Sequence, residues 1–311
     1  MLLEFVRLLS TGEKSANELL ALCLRRIAAA EAETLAWVEV APQEALGDGL
    51  LNGIPFGVKD IFETRGLATE YGSPLYAGRK GPADAAVVAG LRGAGAVILG
   101  KTRTAAFASF DPPATHNPRL PGHTPGGSSS GSAAAVAAGM APFALGTQTL
   151  GSVIRPAAYC GVCGFKPSFG LLSTEGVMPF APSLDTVGFF TATAADMAEL
   201  WSRGFGGRFD ADLHRAACFR LPAGPVMREA MAAAIERLRL RGVDIDEIDP
   251  PAGWDRLTAA AFTINRYEGA RSQQERYAEF GERIGAKLAA LVRDGLRLPL
   301  SEYEDARAHV E

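Results

Sequence analysis

Residues 83–101 read ADAAVVAGLRGAGAVILGK, and their order decides the fold class. From Ala83 to Arg92 small and apolar residues recur at helical spacing, Gly93 and Gly95 supply the stop, and Ala96-Val97-Ile98-Leu99 is an unbroken apolar run. A helix, a glycine turn and a buried strand in that succession is the unit from which mixed α/β sheets are assembled. Upstream, Ser15 and Glu18 form a capping box ahead of a helix whose Leu19, Cys23 and Ile27 recur every four residues. A short apolar strand near Ala36–Val40 follows, and a loop from Gly47 leads into a second strand, Phe56–Lys59, that ends on a charge. Downstream, the turn-rich stretch Thr115–Gly131 precedes an alanine-rich helix, Ser132–Ala138, and a strand, Phe143–Thr147. After Gly204 long polar helices take over, with a helix at Val226–Arg241, a strand at Val243–Ile248 and helical sequence from there to Glu311. The pattern predicts an α/β fold with a central mixed β-sheet covered by helices on both faces, residues 1–203 forming the core and 204–311 a mostly helical continuation of the same domain.

The chain has 311 residues, 48% hydrophobic and 21% charged, enough to bury a substantial core and too apolar for a disordered tail. Its 31 basic and 35 acidic residues leave a net charge of −4, so no overall field points to nucleic acid or an anionic membrane. Small-molecule chemistry is the default. Four cysteines are too few for a disulfide framework and fit a reduced, cytoplasmic setting. Met1–Leu9 carries Glu4 and Arg7 and lacks the pattern of a signal peptide; Gly131–Gly151 has the length of a membrane span but is Ala/Gly-rich and crossed by Pro142 and Gln148.

Three short motifs yield to plainer readings. Gly95–Thr102 satisfies the Walker A spelling of a nucleotide hydrolase, yet the apolar strand occupies the loop positions themselves rather than preceding them. Gly127-Ser128-Ser129-Ser130-Gly131 spells a nucleophile elbow with Ser129 at its centre, but no strand feeds it, and of His116, His123, His214 and His309 only the last two follow the serine in the required order. Cys160 and Cys163 have redox or half-zinc spacing without a second ligand pair and read as buried apolar thiols. Asp210, Asp212, Asp244, Asp246 and Asp249 fit a surface turn and one face of a strand.

A concentration of serine and glycine with a lone lysine remains, and it suits a different chemistry. A serine hydrolase needs a base for the hydroxyl, donors for the oxyanion and backbone that approaches both. Lysine serves as base if its pKa falls from about 10.4 to near 7, a change of roughly 4 kcal/mol that desolvation can supply. Lys59 stands at the end of an apolar strand, where burial is expected; its plain alternative is a surface lysine at a strand end.

Asn52–Asp60 (NGIPFGVKD), Pro125–Gly139 (PGGSSSGSAAAVAAG) and Gly146–Ser168 (GTQTLGSVIRPAAYCGVCGFKPS) together resemble the amidase signature family of serine amidohydrolases, as do the connecting Gly100-Lys101-Thr102 and Ser183–Thr186. The resemblance runs from the Ser15 helix to the helix ending near Arg203. It implies that residues 1–203 are the catalytic core and that Lys59, Ser128 and Ser152 form the catalytic group, Lys59 drawing a proton from Ser128, which relays that of Ser152 to free it for attack on an amide carbonyl. It further implies oxyanion donors at Thr149, Leu150, Gly151 and Ser152, and substrate contacts at Gly126, Gly127 and Ser129. No metal or organic cofactor is called for, and the partner is a small-molecule linear amide, with a second copy of the chain as the one macromolecular partner left open.

The chain also departs from the family's usual pattern. Thr147-Gln148-Thr149-Leu150-Gly151-Ser152 replaces a carboxylate and a glycine, Leu150 is expected to narrow the oxyanion loop, Arg155 stands one residue later than the usual arginine, and Ser130 replaces a glycine. The family pattern continues, with strands and loops that wall the pocket, beyond what Ser301–Glu311 resembles. Amide hydrolysis through a serine acyl-enzyme is the function this reading implies; the alternatives are an amidase-like scaffold that only binds a ligand or partner, and the nucleotide hydrolase spelled by Gly95–Thr102.

Overall fold

The structure, a computed structural model, describes residues 1–208 and 214–310. Six strands, β1 (Trp37–Gln43), β2 (Pro55–Lys59), β3 (Val97–Thr102), β4 (Phe143–Gln148), β5 (Cys163–Phe165) and β6 (Thr186–Thr191), form one sheet in the order β1-β3-β2-β4-β6-β5. The centre, β3-β2-β4, is parallel, and β1, β6 and β5 join antiparallel, so the sheet is mixed as expected. The ten helices are α1 (Leu2–Ser10), α2 (Ala16–Thr34), α3 (Ala86–Gly93), α4 (Ser130–Ala137), α5 (Ile154–Cys160), α6 (Ala194–Phe205), α7 (Pro225–Arg239), α8 (Trp254–Phe280), α9 (Ala286–Gly295) and α10 (Leu300–Val310) among the described residues.

Side-chain alternation along the strands decides which helices cover which face. Phe143 and Leu145 of β4 and Val187 and Phe189 of β6 join the large core with Leu19, Cys23 and Ile27 of α2 and Met197 and Leu200 of α6. Ala144 and Phe190 point the other way, onto Ala133 and Val136 of α4 and Val153, Ala157 and Cys160 around α5. Helices therefore lie on both faces. The Ser15 capping box is formed, with Glu18 N–H on Ser15 Oγ at 3.3 Å and Ser15 N–H on Glu18 Oε2 at 2.9 Å. It starts α2 in the register that buries Leu19 and Ile27, worth roughly 2 kcal/mol each. Gly95 is at φ +94°, and a Cβ there would stand 2.6 Å from Asn52 Cα, so the turn from α3 into β3 requires glycine.

The chain after residue 204 differs in one respect from the helical continuation expected. β7 (Arg215–Phe219) and β8 (Asp244–Ile248) pair in parallel across α7 as a separate two-stranded sheet. The β8 strand is foreseen and β7 is not, because RAACF is alanine-rich, with exposure alternating at every residue, and carries a weak strand signal. Asp246 and Asp249 pair with Arg215 and Arg220 at the surface. Asp210, Asp212 and Glu311 lie outside the described residues. Beyond this unit, Ile284, Leu288, Ala289 and Val292 enter the main core, while Ala306 of α10 packs on Ala260 and Ile264 of α8 in a smaller cluster.

Candidate active site

The parallel strands β2 and β4 end side by side, and the carboxyl end of such a sheet is where α/β folds place ligands. Lys59 is the last residue of β2. Every residue of that strand is buried, so the lysine stem runs through the sheet and its Nζ surfaces inside, with no exposure to solvent. Nζ lies 2.8 Å from Ser128 Oγ and 2.8 Å from Thr147 Oγ1. Burial pulls its pKa down to about 7, against an opposing pull from the Asp185 carboxylate.

Ser128 follows a cis Gly127–Ser128 peptide bond and is buried. The helix that begins just after it is stapled to the sheet by its own serines: Ser132 Oγ donates to Leu145 O at 2.7 Å, and Ser129 Oγ bridges the backbone carbonyl and N–H of Thr147, both at 3.3 Å. Ser128 O accepts from Ala105 N–H and Thr104 Oγ1. These bonds hold the Ser128 hydroxyl against Lys59. Gly126, at φ +77°, packs so closely on Pro156 that a Cβ would meet its Cα at 2.9 Å.

Ser152 sits half-buried at the start of α5. Its Oγ has no hydrogen-bond partner among the described residues, and the backbone N–H groups of Thr149, Leu150, Gly151 and Ser152 are likewise unpaired there. Four successive unpaired amides beside a free hydroxyl are groups of the kind that can hold an oxyanion. Gln148, in place of the usual carboxylate, accepts from Val153 N–H and Ile154 N–H at 3.0 Å each and so fixes the start of α5. Thr149 Oγ1 donates to Asp185 Oδ1 at 2.6 Å; Asp185 Oδ2 accepts from Phe180 and Ala181 N–H, and burial pushes this carboxyl up from its ordinary range. Leu150 lies between two clefts, one of 240 Å³ containing Ser152 and one of 420 Å³ on its other side.

Lys59 and Ser128 are thus in contact, and Ser152 lines the 240 Å³ cleft whose Arg155 binds Gly127 O, next to Ser128. Three expected substrate contacts are already engaged: Ser129 is buried with its hydroxyl on Thr147, Gly126 O accepts from Ser130 Oγ at 2.6 Å, and Gly127 O accepts from Arg155 Nε and a terminal guanidinium nitrogen at 3.0 and 2.6 Å. Ser129 therefore does not present its side chain to substrate. Thr147, on Lys59, and Asp185, on Thr149, touch these groups although the motifs assign them no role; the visible signals are Thr147's place at a strand end and Asp185's place in the matched Ser183–Thr186 stretch. Lys101 of the Walker-like spelling runs through β3, buried, and donates to Phe62 O, Thr69 Oγ1 and Thr64 Oγ1 at 2.6, 2.8 and 3.2 Å, which leaves no phosphate loop. Cys160 is buried and Cys163 only half-buried, both with thiols pushed up by burial. No cluster of three or more His, Cys, Asp or Glu side chains able to hold a metal occurs among the described residues, and no described helix is long and apolar enough to cross a membrane.

A buried lysine brought near neutrality, a serine held against it and a second serine under free amides, on this sheet, define the class. The chain belongs to the amidase signature family, whose model, Amidase, matches residues 18–220. Among its relatives is a glutamyl-tRNA(Gln) amidotransferase subunit from Treponema pallidum, 52% identical over 156 residues, covering 48% of this chain and 30% of that protein. The protein of the same name from Chloroflexus aggregans is 37% identical over 285 residues, covering 84% of this chain and 57% of its own length. The chain thus spans between about a third and somewhat over half of these relatives. Among solved structures, an amidase superposes with a TM-score of 0.88 at 29% identity over 99% of this chain and 76% of the other. The native peptide amidase from Stenotrophomonas maltophilia superposes with a TM-score of 0.81 at 27% identity, over 97% of this chain and 77% of its own.

Proposed function

We propose that the chain cleaves the C–N bond of a linear carboxylic amide through a serine acyl-enzyme. The observation that carries this reading is Lys59 Nζ, fully buried, with a pKa near 7, 2.8 Å from Ser128 Oγ. As a neutral amine Lys59 accepts the Ser128 proton while Ser128 accepts that of Ser152, and Ser152 Oγ bonds to the carbonyl carbon. The amides of Thr149–Ser152 hold the oxyanion. Collapse breaks the C–N bond, the proton returns through Ser128 to the departing nitrogen, and water opens the acyl-enzyme by the same relay. Such a site needs no cofactor and only a small-molecule amide as partner. Several relatives carry the name amidotransferase, and C–N cleavage is the step an amidase and an amidotransferase share. A fluorophosphonate probe tests it: the wild-type chain is labelled on Ser152 and releases ammonia from primary carboxamides, and Ser152→Ala does neither. A labelled site elsewhere, or full turnover in Ser152→Ala, overturns it.

A further inference from the structure

The cleft beside Ser152 holds two polar side chains that the proton relay does not use. Ser109 is 9% exposed, and its Oγ is buried without a hydrogen-bond partner among the described residues. Asn265, on α8, is 2% exposed and lines the same cleft. Leaving a buried hydroxyl unpaired costs about 1–3 kcal/mol, so Ser109 Oγ points to a group that enters with a substrate, and Asn265 lines the same cleft with an amide open to that group. The backbone reinforces this for Ser109. Phe107 and Ala108, neither of them glycine, stand at φ +52° and +54°, a left-handed pair that costs stability and turns Ser109 onto the cleft wall. Phe107 N–H on Tyr71 O at 2.8 Å and Ser109 N–H on Ala106 O at 2.9 Å lock that turn.

The rest of the wall is apolar and aromatic. Phe110, Phe180, Phe262 and Leu150 line it, no carboxylate does, and its one cation, Arg155, is engaged with Gly127 O. We propose that Ser109 and Asn265 form a neutral subsite beside Ser152 that binds a second, uncharged hydrogen-bonding group, such as an acylamino group, carried on the acyl side of an amide whose apolar body lies against the phenylalanines. The proposal rests on Ser152 being the nucleophile. Both residues are specificity-determining: an asparagine amide both donates and accepts, as does a serine hydroxyl, so together they match a neutral amide and reject its apolar analogue.

N-acetyl-L-phenylalaninamide and 3-phenylpropanamide share the phenyl group and primary carboxamide and differ in the acetamido group. The wild-type chain is expected to favour the first by at least tenfold in kcat/KM. Asn265→Leu and Ser109→Ala should each lose at least fivefold on it while changing the second less than twofold, and Ser109→Thr, which keeps the hydroxyl, should recover most of the loss. An equal loss on both amides, or a preference that survives Asn265→Leu, overturns the subsite. Fluorophosphonate labelling separates this from the function itself. If Ser152 is not labelled, the reading of the function fails, and calorimetric binding of the same two amides still decides the subsite: a tenfold difference in Kd that Asn265→Leu removes supports it, and equal Kd values overturn it.

Discussion

Two lysines on neighbouring parallel strands, Lys59 of β2 and Lys101 of β3, are both wholly buried, yet their surroundings are arranged for opposite ends. Around Lys59 the contacts are two hydroxyls, Ser128 and Thr147, with no carboxylate in contact. Around Lys101 there are a carbonyl, two threonine hydroxyls and, at 3.8 Å, Asp60. Asp60 is itself held by Glu70 and Gly72 N–H. Burial lowers Lys101 to about 8 and raises Asp60 to about 6, so near neutral pH the pair stays ionised, whereas Lys59 is poised to give up its proton. Burial alone therefore does not make a base; burial without a carboxylate in contact does.

The largest effect that tests this division is on rate. Lys59→Met should lower kcat/KM at least a thousandfold, as expected for a member of a relay whose parts act as a unit. The fold should survive, with a melting temperature at pH 6 equal to or above that of the wild type. The sign follows from the lowered pKa. The folded state sheds the Lys59 proton near 7 and the unfolded state only near 10.5, so the destabilisation from this lysine is complete below pH 7 and fades as pH rises toward 10.5. A folded, active Lys59→Met enzyme would overturn the relay.

Lys101→Met should act mainly on stability. Removing one member of a buried pair leaves Asp60 without its cation and strips donors from Phe62 O, Thr64 and Thr69, a cost of about 3–5 kcal/mol. Equilibrium denaturation measures that loss, while the folded fraction, counted by fluorophosphonate labelling, keeps its turnover per site. Activity lost in proportion at each site would erase the distinction between the two lysines.

The pH profile sharpens the comparison further. The logarithm of kcat/KM should rise with unit slope below pH 7 and level off above it as Lys59 deprotonates, the Asp185 carboxylate opposing that loss of charge. Unfolding free energy should rise with pH between about 7 and 10.5 by up to ~1.4 kcal/mol per pH unit for each lysine releasing its proton, and Lys59→Met should remove its share of that slope. A profile flat from pH 6 to 8 would mean that Lys59 is not the titrating base.

Much of this was legible in the sequence, for local reasons. The capping box, the α3-turn-β3 unit and the placement of Lys59 at the end of an apolar strand each depend on a dozen residues or fewer. What escaped depends on docking between distant segments. Phe62, Thr64 and Thr69 reach Lys101 from a loop with no periodic pattern, and Asn265 faces the cleft from a helix more than a hundred residues beyond Ser152. Helical spacing shows that Asn265 lies on a helix; it carries nothing about what that helix covers. Ser129 shows the converse, a motif residue whose identity is legible while its partner, the backbone of β4, is not.

The smallest expected effect concerns Thr147, the second hydroxyl on Lys59. Its Oγ1 lies 2.8 Å from Nζ and accepts from the ammonium, and a hydrogen bond to the charged form favours that form. Thr147→Val keeps the shape of the side chain and removes only this acceptor. Lys59 then holds its proton less tightly, so the midpoint of the kcat/KM profile should move below 7 by a fraction of a pH unit. The plateau rate should fall less than tenfold, because Ser128 still receives the relay and the oxyanion amides are untouched. The backbone of Thr147 remains clasped by Ser129 Oγ, so β4 keeps its position and the melting temperature should change little. A midpoint that moves upward instead would show that Thr147 stabilises the neutral amine, and the contrast with Lys101, whose threonines help keep a charge in place, would then have to rest on Asp60 alone.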